Sequence, residues 1–293
     1  MSSQHQHNRD VVELFLNIVA DGEASDPVQY LPAARANKIG YPYLKYLESE
    51  GFGTESVREE LWAEDRQFDA FERDLGFVDS RLSELGIDYA IIKTRFPFEY
   101  RSWDLNLLVN PKSRGEAISA FLEDGWYRTT LREHPIARTE PGKFMLEHAD
   151  RHPIHVHDSV SWNGFTYVPA SLVLEHTRRI DGVQYPIEQL DWLIHCAHSA
   201  FENYELTLGE AYLLETFSEV RDRDLLEALR LLEAVELVTE TADGICTEES
   251  RVELPVEYSH RDLFRVWRSH ASGVTGGPEL LSHYAQYGLQ VVK

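Results

Sequence analysis

The residues best suited to chemistry stand in one short run, Trp103-Asp104-Leu105-Asn106-Leu107-Leu108-Val109. Side chains alternate across a strand, so Asp104 and Asn106 share one face while Leu105 and Leu107 enter a core. Two oxygen-bearing side chains about 7 Å apart on a strand face can present ligands to a hard cation. The same alternation also suits a solvated strand face. Lys93, Arg95 and Arg101 lie just upstream, a local positive cluster matched either to phosphate oxygens or to acidic neighbours such as Glu99. Trp103 offers a ring for stacking on a base or for packing.

A second group comprises His148, Asp150, His152, His155, His157 and Asp158. His155 and His157, two apart, fall on one strand face. Imidazoles and carboxylates at this density can ligate a transition metal for hydrolysis or redox chemistry, although the spacing matches no H-E-x-x-H signature. His195 and His198, with Asp191 one turn earlier, read as helix-packing histidines. There is no G-x-S-x-G elbow, Walker A loop or Rossmann glycine pattern, and the glycines at 273, 276 and 277 read as a joint before Pro278.

The elements that must position these residues follow from periodicity. Residues 1–9 read as a polar leader, and His5 and His7 within it as part of that leader. From residue 10 to 53 the pattern is of short helices broken by Pro27, Pro32, Gly40 and Pro42. Ser56 and Glu59 spell a capping box for a long helix that Gly86 ends. Strands are expected at 87–94, 104–109, 126–131 and 154–160, with a helix capped by Ser113 and Glu116 after the second. Helices return over 187–204, after the Thr207 and Glu210 capping box, over 222–238, and loosely to Lys293. Helices, a small mixed sheet and helices again make an α+β chain. Its expected segments are 1–53, 54–170 for the sheet-bearing core, and 171–293.

Composition sets the outer limits. The chain has 293 residues with 50 acidic and 28 basic side chains, a net charge of −22. Only six of the basic residues are lysine, and arginine supplies the other 22. Acidic, lysine-poor composition resembles that of proteins from salt-in halophiles, where a Debye length of about 3 Å at 1 M salt screens the self-repulsion. Such a charge excludes a general nucleic-acid coating protein but not a local basic pocket. No stretch approaches the roughly 20 apolar residues of a membrane span, no charged-then-apolar leader opens the chain, and the two cysteines build no disulfide framework. A cytoplasmic location without membrane attachment is the expectation.

Taken together, Lys93-Thr94, Arg101-Ser102-Trp103-Asp104-Leu105-Asn106-Leu107-Leu108-Val109, Ala120 to Gly125-Trp126, and Ile154-His155-Val156-His157 resemble the uncharacterised nucleotidyltransferase family of the polymerase-beta superfamily. That family shows a strand ending in Lys-Gly, an R-x-x-D-I-D-L-L-V segment, a helix, and a later I-D-L-H strand. The resemblance implies a nucleotidyltransferase-like core and a nucleoside triphosphate as substrate or ligand, with Mg²⁺ or Mn²⁺ as cofactor. It makes Asp104 the catalytic residue and a metal ligand, with Asn106 and His155 completing the metal set. It assigns Lys93, Thr94, Arg101 and Trp103 to the nucleotide, with Arg95 and His157 secondary.

Asn106 and His155 stand where the family has carboxylates, and Thr94 where it has glycine. Replacing two carboxylates by neutral groups removes two negative charges from a site that would hold Mg²⁺. Two outcomes are coherent. The site is retuned to transfer a nucleoside monophosphate to an acceptor hydroxyl using one metal delivered with the nucleotide, or the fold persists as a catalytically silent nucleotide- or partner-binding protein. A histidine-rich, metal-dependent hydrolase is a third reading.

Overall fold

A computed structural model describes residues 3–19, 26–129, 143–162, 165–217, 222–247 and 252–271. The N-terminal part is helical because its apolar residues recur three and four apart. In α1 (Ser3–Val19) the stripe is Val11, Val12, Phe15 and Ile18, all buried. Helices α2 (Leu31–Ala36) and α3 (Gly40–Ser49) follow, then the long α4 (Glu55–Glu84). Two expectations change here. Residues 3–9 are not a loose leader but the first turns of α1. Asn8 donates to Glu99 Oε2 at 2.5 Å, and His7 Nδ1 lies 2.9 Å from the Tyr212 hydroxyl. Thr54, not Ser56, caps α4, accepting from the Val57 amide at 3.3 Å.

Strands β1 (Tyr89–Ile91), β2 (Leu105–Val109), β3 (Tyr127–Arg128), β4 (Lys143–Glu147) and β5 (Ile154–His157) form one sheet in the order β1-β2-β5-β4-β3. β2 and β5 run parallel and the other neighbours antiparallel. Helix α5 (Arg114–Glu123) lies where expected, but Ser113 makes no side-chain cap. The strand expected over 154–160 divides. β5 ends at His157, and β6 (Ser159–Trp162) leaves the sheet to pair with β7 (Phe165–Pro169). β4 is an additional strand, and it completes the sheet by lying between β5 and β3.

The C-terminal part comprises α6 (Ala170–Glu175), a hairpin of β8 (Thr177–Ile180) and β9 (Val183–Pro186), then α7 (Glu188–His198). A π-helical turn (Ser199–Asn203) extends α7, with the Tyr204 amide bonding the Ser199 carbonyl at 2.9 Å. After β10 (Glu205–Leu206) come α8 (Leu208–Thr216), α9 (Arg223–Leu229), α10 (Leu232–Thr247), β11 (Val256–Glu257) and α11 (His260–Ala271). The helix expected over 222–238 is two helices, because Arg230 takes a left-handed conformation, φ +58°, between them. Residues 272–293, part of the expected helical tail, lie outside the described residues.

Both faces of the sheet are covered. Leu105, Leu107, Ile154 and Val156 pack with Phe71, Leu75 and Val78 of α4 and Phe121 of α5. Leu108 faces the other way, into a larger core that takes residues from α1, α3, α7, α8, α10 and α11. The chain is thus a mixed helix-and-sheet protein in which one sheet face looks onto the helices that follow it. Among the described residues no helix is long and apolar enough to cross a membrane.

Candidate functional site

Strand alternation puts Asp104, Asn106, His155 and His157 on the face that looks onto the C-terminal helices. The parallel register pairs Asn106 with His155, and the antiparallel register of β4 brings Lys143 beside His157 and Met145 beside His155. Instead of being a solvated strip, this face is buried. A buried polar group must find partners, and here the residues supply them to one another. Ser102 Oγ donates to Asp104 Oδ1 at 2.7 Å and Asn106 Nδ2 donates to the same oxygen at 3.0 Å. His157 Nε2 lies 3.0 Å from Asn106 Oδ1. His155 Nδ1 lies 2.7 Å from Asp104 Oδ2 but off the line of a ring N–H bond, so both nitrogens of His155 lack a well-directed hydrogen bond.

The electrostatics follow from this arrangement. Burial would raise the Asp104 carboxyl, but His155, Ser102 and Lys93 outweigh it and hold the group below the usual carboxylate range. Burial lowers His155, with Asp104 opposing, and drives His157 well below the usual imidazole range with help from Lys93 and Lys143. Near neutral pH the cluster is therefore one carboxylate among neutral donors.

Facing it across a cavity of about 590 Å³ is a second polar group carried by the helical half. The π-helical turn carries Glu202 to the cavity, where Glu202 gathers two lysines and a histidine. Lys93 Nζ lies 2.8 Å from Oε2, His198 Nε2 3.0 Å from the same oxygen, and Lys143 Nζ 3.7 Å from Oε1. Burial would raise Glu202, but His198, Lys93 and Lys143 hold it well below the usual range. Lys38 enters the cavity from the α2–α3 connection and pairs with Glu210 at 2.6 Å. Glu210 completes the expected capping box with Thr207 and is pushed down to about 2 because Lys38 and His198 overcome its burial. Lys38 and Lys93 both adopt left-handed backbone, φ +61° and +64°. For a residue with a Cβ this costs about 1–2 kcal/mol, and such strain concentrates at functional positions.

Of the expected site residues, the cavity collects Lys93, Trp103, Asp104, Asn106 and His155. His157 lies behind Asn106. Trp103 is 60% exposed, with its ring set edge to face on His155 at 5.2 Å. The other three point elsewhere, so the basic residues are not one patch. Arg101 pairs with Glu64 at 3.0 Å, and Thr94 and Arg95 line a different cavity. The second histidine group also disperses. His152 Nδ1 bonds Asp74 at 2.8 Å, His148 packs on Trp126 at 4.8 Å, and Asp158 pairs with Arg114. His195 and His198 divide: His195 is a buried core residue with neither nitrogen bonded, whereas His198 belongs to the cavity.

Sequence reasoning missed Lys38, Lys143, His198, Glu202 and Glu210. One signal was in plain view. In a chain that carries only six lysines, each retained lysine is informative, and three of them line this cavity.

The donor set does not fit a pair of hard divalent cations. Asp104 is the one carboxylate of the strand-face cluster, both its oxygens already face donors, and the Asn106 amide oxygen lies against His157. Mg²⁺ demands near-octahedral oxygen ligation, and among the described residues no three His, Cys, Asp or Glu side chains form a metal-ligand group. Compared with known proteins, the chain matches no family model and no curated protein.

Proposed function

We propose that the cavity between β2, β5 and the π-helical turn binds a phosphate-bearing ligand of the nucleotide class without a resident metal, in a nucleotidyltransferase-like core that has lost the transfer reaction. The observation that carries this reading is the convergence of Lys38, Lys93 and Lys143 on one cavity in an acidic, lysine-poor chain. An ammonium group is a mobile three-donor point charge suited to phosphate oxygens. Beside the lysines, Trp103 presents an exposed ring on which a base can stack. The Asn106 and His155 side chains support the silent form, since neutral groups stand where further carboxylates would repel Asp104 without a metal.

Titration with ATP in multimolar KCl tests this, once with Mg²⁺ and once with excess EDTA, followed by thermal unfolding. Ligand at 100 times its dissociation constant adds about 2.7 kcal/mol of stability. The expected result is an equal shift under both conditions, lost in the triple variant Lys93→Gln/Lys143→Gln/Glu202→Gln, which removes the buried carboxylate with its two lysines, and no product formed from ATP. No shift with ATP or GTP under either condition overturns the reading. The transfer reaction is favoured by a single feature, the ionised Asp104 at the cavity wall. Mg²⁺-dependent release of pyrophosphate, abolished in Asp104→Asn, would establish it in place of metal-free binding.

A further inference from the structure

Thr94 and Arg95 line a second cavity, of about 410 Å³, in which three polar side chains lack a hydrogen-bonding or ionic partner among the described residues. Asp191, in the first turn of α7, is 7% exposed. Among the described residues its carboxyl has no hydrogen bond and no ion pair. Arg95 has none either, and its guanidinium only stands 5.7 Å over the ring of Tyr185. The buried Thr94 hydroxyl also lacks a partner. Two opposite charges thus face one cavity without closing on each other. Burial raises the Asp191 carboxyl to about 7, against the opposing pull of Arg95 and Arg178, and burial lowers Arg95. The remaining acids tilt the balance towards a cation. Glu72 and Asp181 line the same space, and Glu188 is occupied by Arg178 at 2.7 Å.

A buried carboxyl or guanidinium without a partner is costly, and folded proteins leave few such groups unsatisfied. The missing partners are of definite kinds: an ammonium for Asp191 and a carboxylate for Arg95 and the Thr94 hydroxyl. Between them the walls are aromatic, with Phe71, Phe96, Tyr185 and Trp192, which suits a ring and favours a cationic group near it. The volume lies within the range of small-molecule sites. We infer that this cavity binds a small zwitterion of the amino-acid class with an aromatic side chain, its ammonium on Asp191, its carboxylate on Arg95 and its ring against Phe96 and Trp192. None of this depends on the lysine-lined cavity, so variants there leave it unchanged.

Calorimetric titration of the full chain in multimolar KCl, with L-phenylalanine and L-tryptophan as probes, tests the assignment. Phenethylamine lacks the carboxylate and 3-phenylpropionate lacks the amine. At least one amino acid is expected to bind, phenethylamine about tenfold or more weakly, and 3-phenylpropionate not measurably. Asp191→Asn and Arg95→Gln should each weaken the amino acid by about tenfold or more, as loss of a charged hydrogen bond does. Circular dichroism establishes that each variant folds. If one does not, the other, together with Thr94→Val, carries the comparison. Absence of binding by both amino acids at millimolar concentration overturns the inference. So does binding unchanged in the folded variants, or phenethylamine matching the amino acids.

Discussion

Replacing Asp104 with alanine is expected to lower stability by about 3–5 kcal/mol, more than a typical substitution costs. The cost comes from the donors left behind. Ser102 Oγ and Asn106 Nδ2 both end on Asp104 Oδ1, at 2.7 and 3.0 Å, inside a buried cluster. Each stranded donor costs about 1–3 kcal/mol, and His155 loses the carboxylate it contacts. Urea unfolding in multimolar KCl should show a lower midpoint at unchanged slope. The Asp104 carboxyl is held below the usual range when folded. Its contribution is therefore present above the unfolded carboxylate pKa of about 3.9 and lost as pH falls through the folded value. The alanine variant should lack that part of the acid limb. A loss under about 1 kcal/mol would mean that the cluster is solvated. The expected destabilisation also governs how function is tested, because a ligand lost in Asp104→Ala is confounded with unfolding. Removing Lys93 and Lys143 together with Glu202, their shared carboxylate partner, addresses binding without stranding a buried charge.

Replacing Lys38 with glutamine is expected to cost a similar amount, about 3–5 kcal/mol, through the partner it abandons. Glu210 is fully enclosed, and its 2.6 Å pair with Lys38 is the main reason it stays ionised. Without the ammonium, burial pushes the Glu210 carboxyl up. The sign of the pH dependence follows. In the native chain Glu210 is held at about 2, below the unfolded value near 4.3, so its stabilisation is complete above that value and fades from there down through pH 2. In Lys38→Gln the folded carboxyl rises above the unfolded value, so stability increases as pH falls and the buried group takes a proton. The gap between the two proteins should be widest near neutral pH and narrow towards pH 4. Unfolding curves at both ends of that range decide the matter, and a gap independent of pH would contradict the account. Adding Glu210→Gln to Lys38→Gln should recover part of the loss, because the stranded charge is gone.

Much of the fold could be read from neighbours a few residues apart. The long helix before Gly86, the β2 strand with its alternating Asp104 and Asn106, the helix after Asn110-Pro111, and the Thr207–Glu210 capping box all depend on local periods and caps, and all are present. Local signals also misled where a competing partner stood nearby. Ser56 lost its cap to Thr54, and the polar residues at the start of α1 were ordered by Glu99 and Tyr212, far along the chain. The β8–β9 hairpin went unread although Asp181-Gly182, with φ of +51° and +89°, is a favoured two-residue turn.

The candidate site divides the same way. Asp104 and Asn106 were legible because strand alternation alone assigns them a common face, His155 joined them only through the resemblance of its Ile154–His157 segment, and composition alone shows that lysine is scarce. That Lys38, Lys93, Lys143 and Glu202 meet across one cavity, while Arg95 and Arg101 turn away from it, was decided by tertiary structure. Helix and strand periods constrain residues within about one turn of each other. The meeting of positions 38, 93, 143 and 202 depends on the order of strands in the sheet, the π-helical turn after α7 and two left-handed lysines. Each of these is settled by packing between segments distant in sequence, which leaves no periodic trace along the chain.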